Sequence, residues 1–152
     1  MAHLKKSATG HLLKGAGGHL VNDCTHNDCN TCDPPIPDIL FVTLANLGGA
    51  FAYANGKRQL DWVSGCIWQY YDALADKSVR LYWDVGPSRW YVMVNGETGW
   101  WPLGNCTISF WNLTGQDGCD PVATYTYLGC DDFSCSGSCA ASAGATCVVS
   151  YV

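Results

Sequence analysis

Between residues 39 and 128 the chain alternates in short runs. Apolar, β-branched or aromatic stretches occupy 39–45, 59–64, 66–71, 79–85, 89–94, 106–111 and 122–128. Within them polar and apolar positions change places at each step, with Val79, Leu81, Trp83 and Val85 on one side and Arg80, Tyr82 and Asp84 on the other. A period of two belongs to a half-buried strand, because successive side chains point to opposite faces. Breakers separate the runs: Gly48-Gly49, Asn55-Gly56, Gly86-Pro87, Asn95-Gly96 and the stretch 115–118. Asn55-Gly56 and Asn95-Gly96 predict two-residue type I′ hairpins. Only 68–75 resembles a helical turn, and it is too short to change the class. A last strand is expected over 147–152. Seven or more short strands at this spacing mean an all-β sandwich or barrel, and the expectation taken forward is a disulfide-stapled β-sandwich, jelly-roll or Ig-like, over residues 39–152. Trp83 and Trp111, inside alternating runs, are expected in its core.

Residues 1–23 follow a different rhythm. Written in eights from Ala2, they read AHLKKSAT, GHLLKGAG, GHLVNDCT. His3, His11 and His19 recur at a spacing of eight, each followed by Leu4, Leu12 or Leu20. Eight residues rotate a helical face by about 80° but leave a strand face in place. Glycines at 10, 15, 17 and 18 also oppose a helix. The segment is expected to be an extended tail that docks on neighbouring copies through His3, Leu4, His11, Leu12, Leu13, His19, Leu20 and Val21. Residues 24–38 form a linker stiffened by Pro34, Pro35 and Pro37.

Ten cysteines in 152 residues approach the density of disulfide scaffolds. Disulfide candidates are Cys24, Cys29, Cys32, Cys66, Cys106, Cys119, Cys130, Cys135, Cys139 and Cys147, without a pairing that spacing alone can choose. Three thiolates with His26 would suit zinc, but only one CxxC pair exists, Cys29 to Cys32, so disulfides are preferred and no metal is expected. Disulfides imply an oxidising, extracellular setting. The N-terminus carries Lys5 and Lys6 but no continuous apolar stretch of a secretory signal, so export by another route, or release by lysis, is expected.

Charge divides the chain. Residues 1–23 hold three lysines against one aspartate, net +2, and the remainder five basic against twelve acidic residues, net −7, for −5 overall. A basic tail and an acidic body attract one another. That balance excludes nucleic acid as a partner of the whole chain. No run of about 18 apolar residues exists to span a membrane as a helix.

Catalytic chemistry finds little purchase. Three histidines lie in the tail and His26 in the linker, so none stands beside a nucleophile in the body. GxSxG, HExxH and Walker motifs are lacking, and Glu97 is the single glutamate. Asp117, Asp120, Asp131 and Asp132 read as solvated loop acids rather than calcium ligands. No catalytic residue, enzyme activity or cofactor is expected. Of the adjacent pair Trp100 and Trp101, one ring should point outward to a glycan or a neighbouring copy. Asn105 and Asn112 open N-glycosylation sequons.

The GHLL-type tail, LGGAFAYANG at 47–56, WVSGCIW at 62–68 and SCAASAGAT at 138–146 resemble uncharacterised bacterial and phage-associated β-sandwich proteins. The plan is also similar to that of subunits of extracellular helical filaments. The resemblance implies no activity. It implies a structural subunit, pilus-like or virion-associated, that forms a homopolymer by docking its tail on neighbours. The alternatives are a carbohydrate-binding module or a phage tail or fibre protein for host attachment.

Overall fold

Eight strands each pair with the next in sequence, and the last closes on the first. The computed structural model describes residues 39–84, 86–87, 89–97, 106–112, 121–130 and 135–152, and the backbone of 13–14 and 20–21. Strands β1 (Leu13–Lys14) and β2 (Leu20–Val21) form a separate antiparallel ladder, Leu13 opposite Val21, so the chain reverses between them. The larger sheet comprises β3 (Ile39–Ala45), β4 (Gly56–Ser64), β5 (Ile67–Asp72), β6 (Lys77–Asp84), β7 (Arg89–Asn95), β8 (Thr107–Trp111), β9 (Ala123–Cys130) and β10 (Thr146–Ser150). Every pairing is antiparallel, and β10 bonds both β9 and β3. A 3₁₀ helix, Gly49–Ala54, joins β3 to β4, and a six-residue helix α1, Ser136–Ala141, precedes β10.

The sandwich expectation is therefore overturned: the body is a closed eight-stranded barrel. Strand number and alternation are the same in either architecture. They differ in whether the last strand pairs with the first, which no local pattern encodes. The register of β10 supplies that bond, Val148 opposite Thr43 on one side and Thr124 on the other.

An eight-stranded barrel has an interior just wide enough for side chains to fill. Here Leu40, Val42, Leu44, Leu60, Leu81, Val92, Val94, Ile108 and Phe110 fill it around a tryptophan cluster. Trp90 lies 5.8 Å from Trp68 in tilted geometry and 5.5 Å from Trp83 edge to face, ring centre to ring centre. The outward rows are Lys57, Gln59 and Asp61 on β4 and Arg80, Tyr82 and Asp84 on β6. Apolar inside and polar outside is the reverse of a barrel built for lipid.

Several local expectations also change. Asn55-Gly56 is no hairpin turn: Asn55 has φ −57° and ψ 145°, and its side chain bonds both the N–H and the carbonyl of Leu47 at 2.9 and 2.8 Å. It closes the long β3–β4 loop instead. Asn95-Gly96 ends β7 without a tight turn, the Gly96 N–H reaching the Cys106 carbonyl at 2.7 Å. The helical candidate 68–75 is strand β5 and a turn. Trp111 is half-buried on the outer face rather than in the core.

Candidate functional site

The two ends of the barrel differ. At one end the 3₁₀ helix and α1 pack together over the loops, and Phe51 is fully buried. Their approach depends on glycine. Gly49 has φ +54°, and a Cβ there would fall on Ser138. The closeness lets α1 accept hydrogen bonds from the loop: Ala50 N–H to Ser138 Oγ at 2.9 Å and Gly48 N–H to Ser142 Oγ at 3.0 Å. Lys77 Nζ donates to the Ala50 carbonyl at 3.0 Å, and the Tyr53 hydroxyl lies between the carbonyls of Ser78 and Asn95 at 2.8 and 2.9 Å. Burial, then Asp72 and Tyr70 nearby, push the Tyr53 phenol well above its ordinary range.

Sulfur pins the same end. Cys106, just before β8, bonds Cys135, and Cys130, at the end of β9, bonds Cys139. Cys135 and Cys139 fall four apart on α1 and its N-cap, so both project toward the barrel rim. Cys66 is also disulfide-bonded. Cys147 corrects the expectation for it: it is a free thiol, buried inside the barrel on β10, and burial raises its pKa far above the ordinary value. It points inward because it alternates with outward Val148, and no cysteine stands opposite.

On the outer face Tyr82, Tyr91 and Trp111 form one cross-strand row over β6, β7 and β8. Tyr82 and Tyr91 stack at 5.6 Å, Tyr91 meets Trp111 at 6.3 Å, and the Arg89 guanidinium covers the Trp111 ring at 4.2 Å. A sugar platform needs exposed ring faces, and these faces are spent on one another and on arginine.

The opposite end carries exposed apolar side chains: Ile39, Trp62, Val63, Tyr151 and Val152. Trp62 is held by its indole N–H on the Gly65 carbonyl at 2.8 Å. From this rim a shallow groove runs over β4 and β5, lined by Gln59, Asp61, Trp62, Val63, Gln69, Tyr70 and Tyr71. It holds one acid and no base. Both signs of charge border it: the Tyr70 hydroxyl donates to Asp72 at 3.1 Å and that of Tyr71 to Asp76, while Arg80 donates to Gln69 Oε1 at 2.7 Å and Arg58 lies over the Tyr70 ring. The Ala75 N–H chiefly holds the Asp72 carboxyl below the usual carboxylate range. Sequence reasoning missed this groove. Trp62 and Val63, adjacent apolar residues beside Gly65, were its only signal, since both cannot face inward.

Of the tail residues expected to dock, Leu13, Leu20 and Val21 lie in the β1–β2 ladder, while His3, Leu4, His11, Leu12 and His19 lie outside the described residues. So do Trp100, Trp101, Cys24, Cys29, Cys32, Cys119, Asn105 and the loop acids Asp117, Asp120, Asp131 and Asp132. Asn112 is 3% exposed, which leaves no room for a glycan on the folded barrel. Among the described residues, no helix is long and apolar enough to cross a membrane. Comparison with protein families, curated proteins and solved structures found no match to this chain.

Proposed function

We propose that the protein is a structural subunit of an extracellular filament, in which the basic tail of one copy lies in the β4–β5 groove of another, with its apolar residues on Trp62 and Val63 and a lysine beside Asp61. The observation that carries this reading is the match between the groove and the tail. The groove offers apolar Trp62 and Val63 beside Asp61, and the tail repeats leucine next to histidine with net charge +2. A closed barrel has no free strand edge, so a tail cannot dock by extending its sheet. Side-chain docking in a groove, or pairing between the β1–β2 ladders of two copies, remains open to it. The aromatic row, with its faces already occupied, favours this reading over a glycan-binding module.

Cysteine parity adds support. With Cys147 unpaired, nine of ten cysteines are left, and an odd number cannot pair fully within one chain. At least one more is free to bond another subunit. Non-reducing electrophoresis should show a covalent dimer, and a strictly monomeric band with two titratable thiols would remove this support.

Electron microscopy of the pure protein tests the main reading. Long fibres are expected from the intact chain. Deletion of residues 1–21 and the Asp61→Lys substitution should each leave folded, dispersed barrels. Fibres that persist in both variants would refute groove docking.

A further inference from the structure

Three sulfurs cluster at the capped end, and a fourth is bonded to one of them. Cys135 Sγ and Cys139 Sγ, which belong to different disulfides, stand 3.9 Å apart. The sulfurs of Cys130, Cys135 and Cys139 all lie within 4.8 Å of one another, and Cys106 is bonded to Cys135. Tetrahedral zinc with Zn–S bonds of about 2.3 Å holds its thiolates about 3.8 Å apart. The Cys135–Cys139 spacing across the two disulfides is therefore already that of a zinc–thiolate pair.

The backbone under the cluster has fastenings besides the disulfides. Helix α1 is fastened to the 3₁₀ loop by Ser138 and Ser142, through the Ala50 and Gly48 N–H groups, and by the glycine contacts beneath. Ser142 Oγ also donates to the Ser138 carbonyl at 2.8 Å, which fixes the last turn. Cys130 and Cys106 sit at the ends of β9 and β8, neighbouring barrel strands. These contacts would hold the four thiols near one another once the sulfur–sulfur bonds open.

We propose that Cys106, Cys130, Cys135 and Cys139 form a four-thiolate zinc site in the reduced protein, so that the cap is held by zinc in a reducing compartment and by two disulfides in an oxidising one. The exchange balances with a small-molecule thiol as reductant. Each protein disulfide takes two electrons and two protons from two thiols, which leave joined as a disulfide. Zinc then displaces four protons from the four cysteines. The inference does not rest on filament assembly.

The test uses the full chain carrying Cys24→Ser, Cys29→Ser and Cys32→Ser, which removes the other cysteine cluster. It is reduced without oxygen and titrated with cobalt(II), then with zinc. One cobalt per chain is expected, with intense thiolate-to-metal absorption that zinc abolishes. Adding Cys139→Ser should remove that absorption and the zinc-dependent rise in melting temperature. Near-UV circular dichroism follows the fold: a reduced chain that loses its signal and regains it with zinc supports the site. Absence of the thiolate absorption, its survival after Cys139→Ser, or a reduced chain that zinc does not restore would overturn it.

Discussion

The two ends of one barrel solve opposite problems. The capped end has its loops covered by two short helices, two disulfides and a set of side-chain-to-backbone hydrogen bonds. The other end presents Ile39, Trp62, Val63, Tyr151 and Val152 to solvent, and it is where β3 receives the chain from the N-terminal segment. Covering costs a protein its adaptable surface, and leaving apolar groups exposed invites a partner. On the proposed reading, stability belongs to the cap and association to the open rim. Substitutions at the two ends, and in the core between them, should separate along that line.

The largest effect belongs to the core that both ends share. Trp90 is 1% exposed and touches both Trp68 and Trp83. Trp90→Ala should cost about 3–5 kcal/mol, a large part of the roughly 5–15 kcal/mol that holds a domain of this size. Urea unfolding measures it. A loss under about 1 kcal/mol would mean the interior repacks freely, and the barrel would be less closed than described.

Next come the cap disulfides. Cys106–Cys135 spans 29 residues and Cys130–Cys139 spans 9. Chain-entropy reasoning gives about 3–4 kcal/mol for the longer and about 2.5–3 kcal/mol for the shorter. Paired serine substitutions should lower the unfolding midpoint in that order while leaving assembly intact. Loss of fibres from folded, disulfide-free protein would put association at the cap and reverse the assignment.

Much of the barrel was legible in the sequence, because strand alternation is local. All eight barrel strands fall where alternation predicts them, within one to three residues at most boundaries. Closure was not legible, since the β10–β3 bond joins positions about 100 residues apart and leaves no trace in either strand's pattern. Helix α1 has no helical pattern in the sequence. Its six residues, SGSCAA, are small and carry no apolar stripe, and it forms because Ser138, Ser142 and two disulfides fasten it. Cys147 was counted with the bonded cysteines because its strand was right but its inward orientation could not be matched to a partner. The groove escaped notice because it exists only when β4 and β5 lie side by side.

Smaller still, and confined to alkaline solution, is the contribution of two buried acids. Tyr53 at the cap and Cys147 in the core have ordinary values of 10.0 and 9.0, both raised by burial. Each is neutral in the fold and ionises freely only when unfolded. Their stabilisation is complete below the unfolded value and is lost as pH rises above it. Stability should fall from about pH 9, and more steeply above about pH 10, by about 1.4 kcal/mol per unit for each group. Cys147→Ala should postpone the first decline and Tyr53→Phe should flatten the second. An unchanged profile in both variants would place the alkaline sensitivity elsewhere.

The smallest effect on stability should come from the open rim, and there the comparison is sharpest. Val63 is 51% exposed near the end of β4, at the bulge between Trp62 and Ser64, and it lines the groove with Asp61. Its side chain adds little to the core, so Val63→Lys should change unfolding free energy by less than about 0.5 kcal/mol. The new ammonium would occupy the apolar seat proposed for a tail leucine and repel the tail's lysines beside Asp61. Assembly should therefore weaken sharply in a barrel of unchanged melting temperature, and lowering ionic strength should not restore it, because salt no longer screens the repulsion. The matched substitution Leu74→Lys, on the fully exposed turn at the capped end, should leave both stability and assembly as they were. Equal loss of fibres from the two variants would mean that added positive charge anywhere on the body disrupts assembly. The open rim would then have no special part in it.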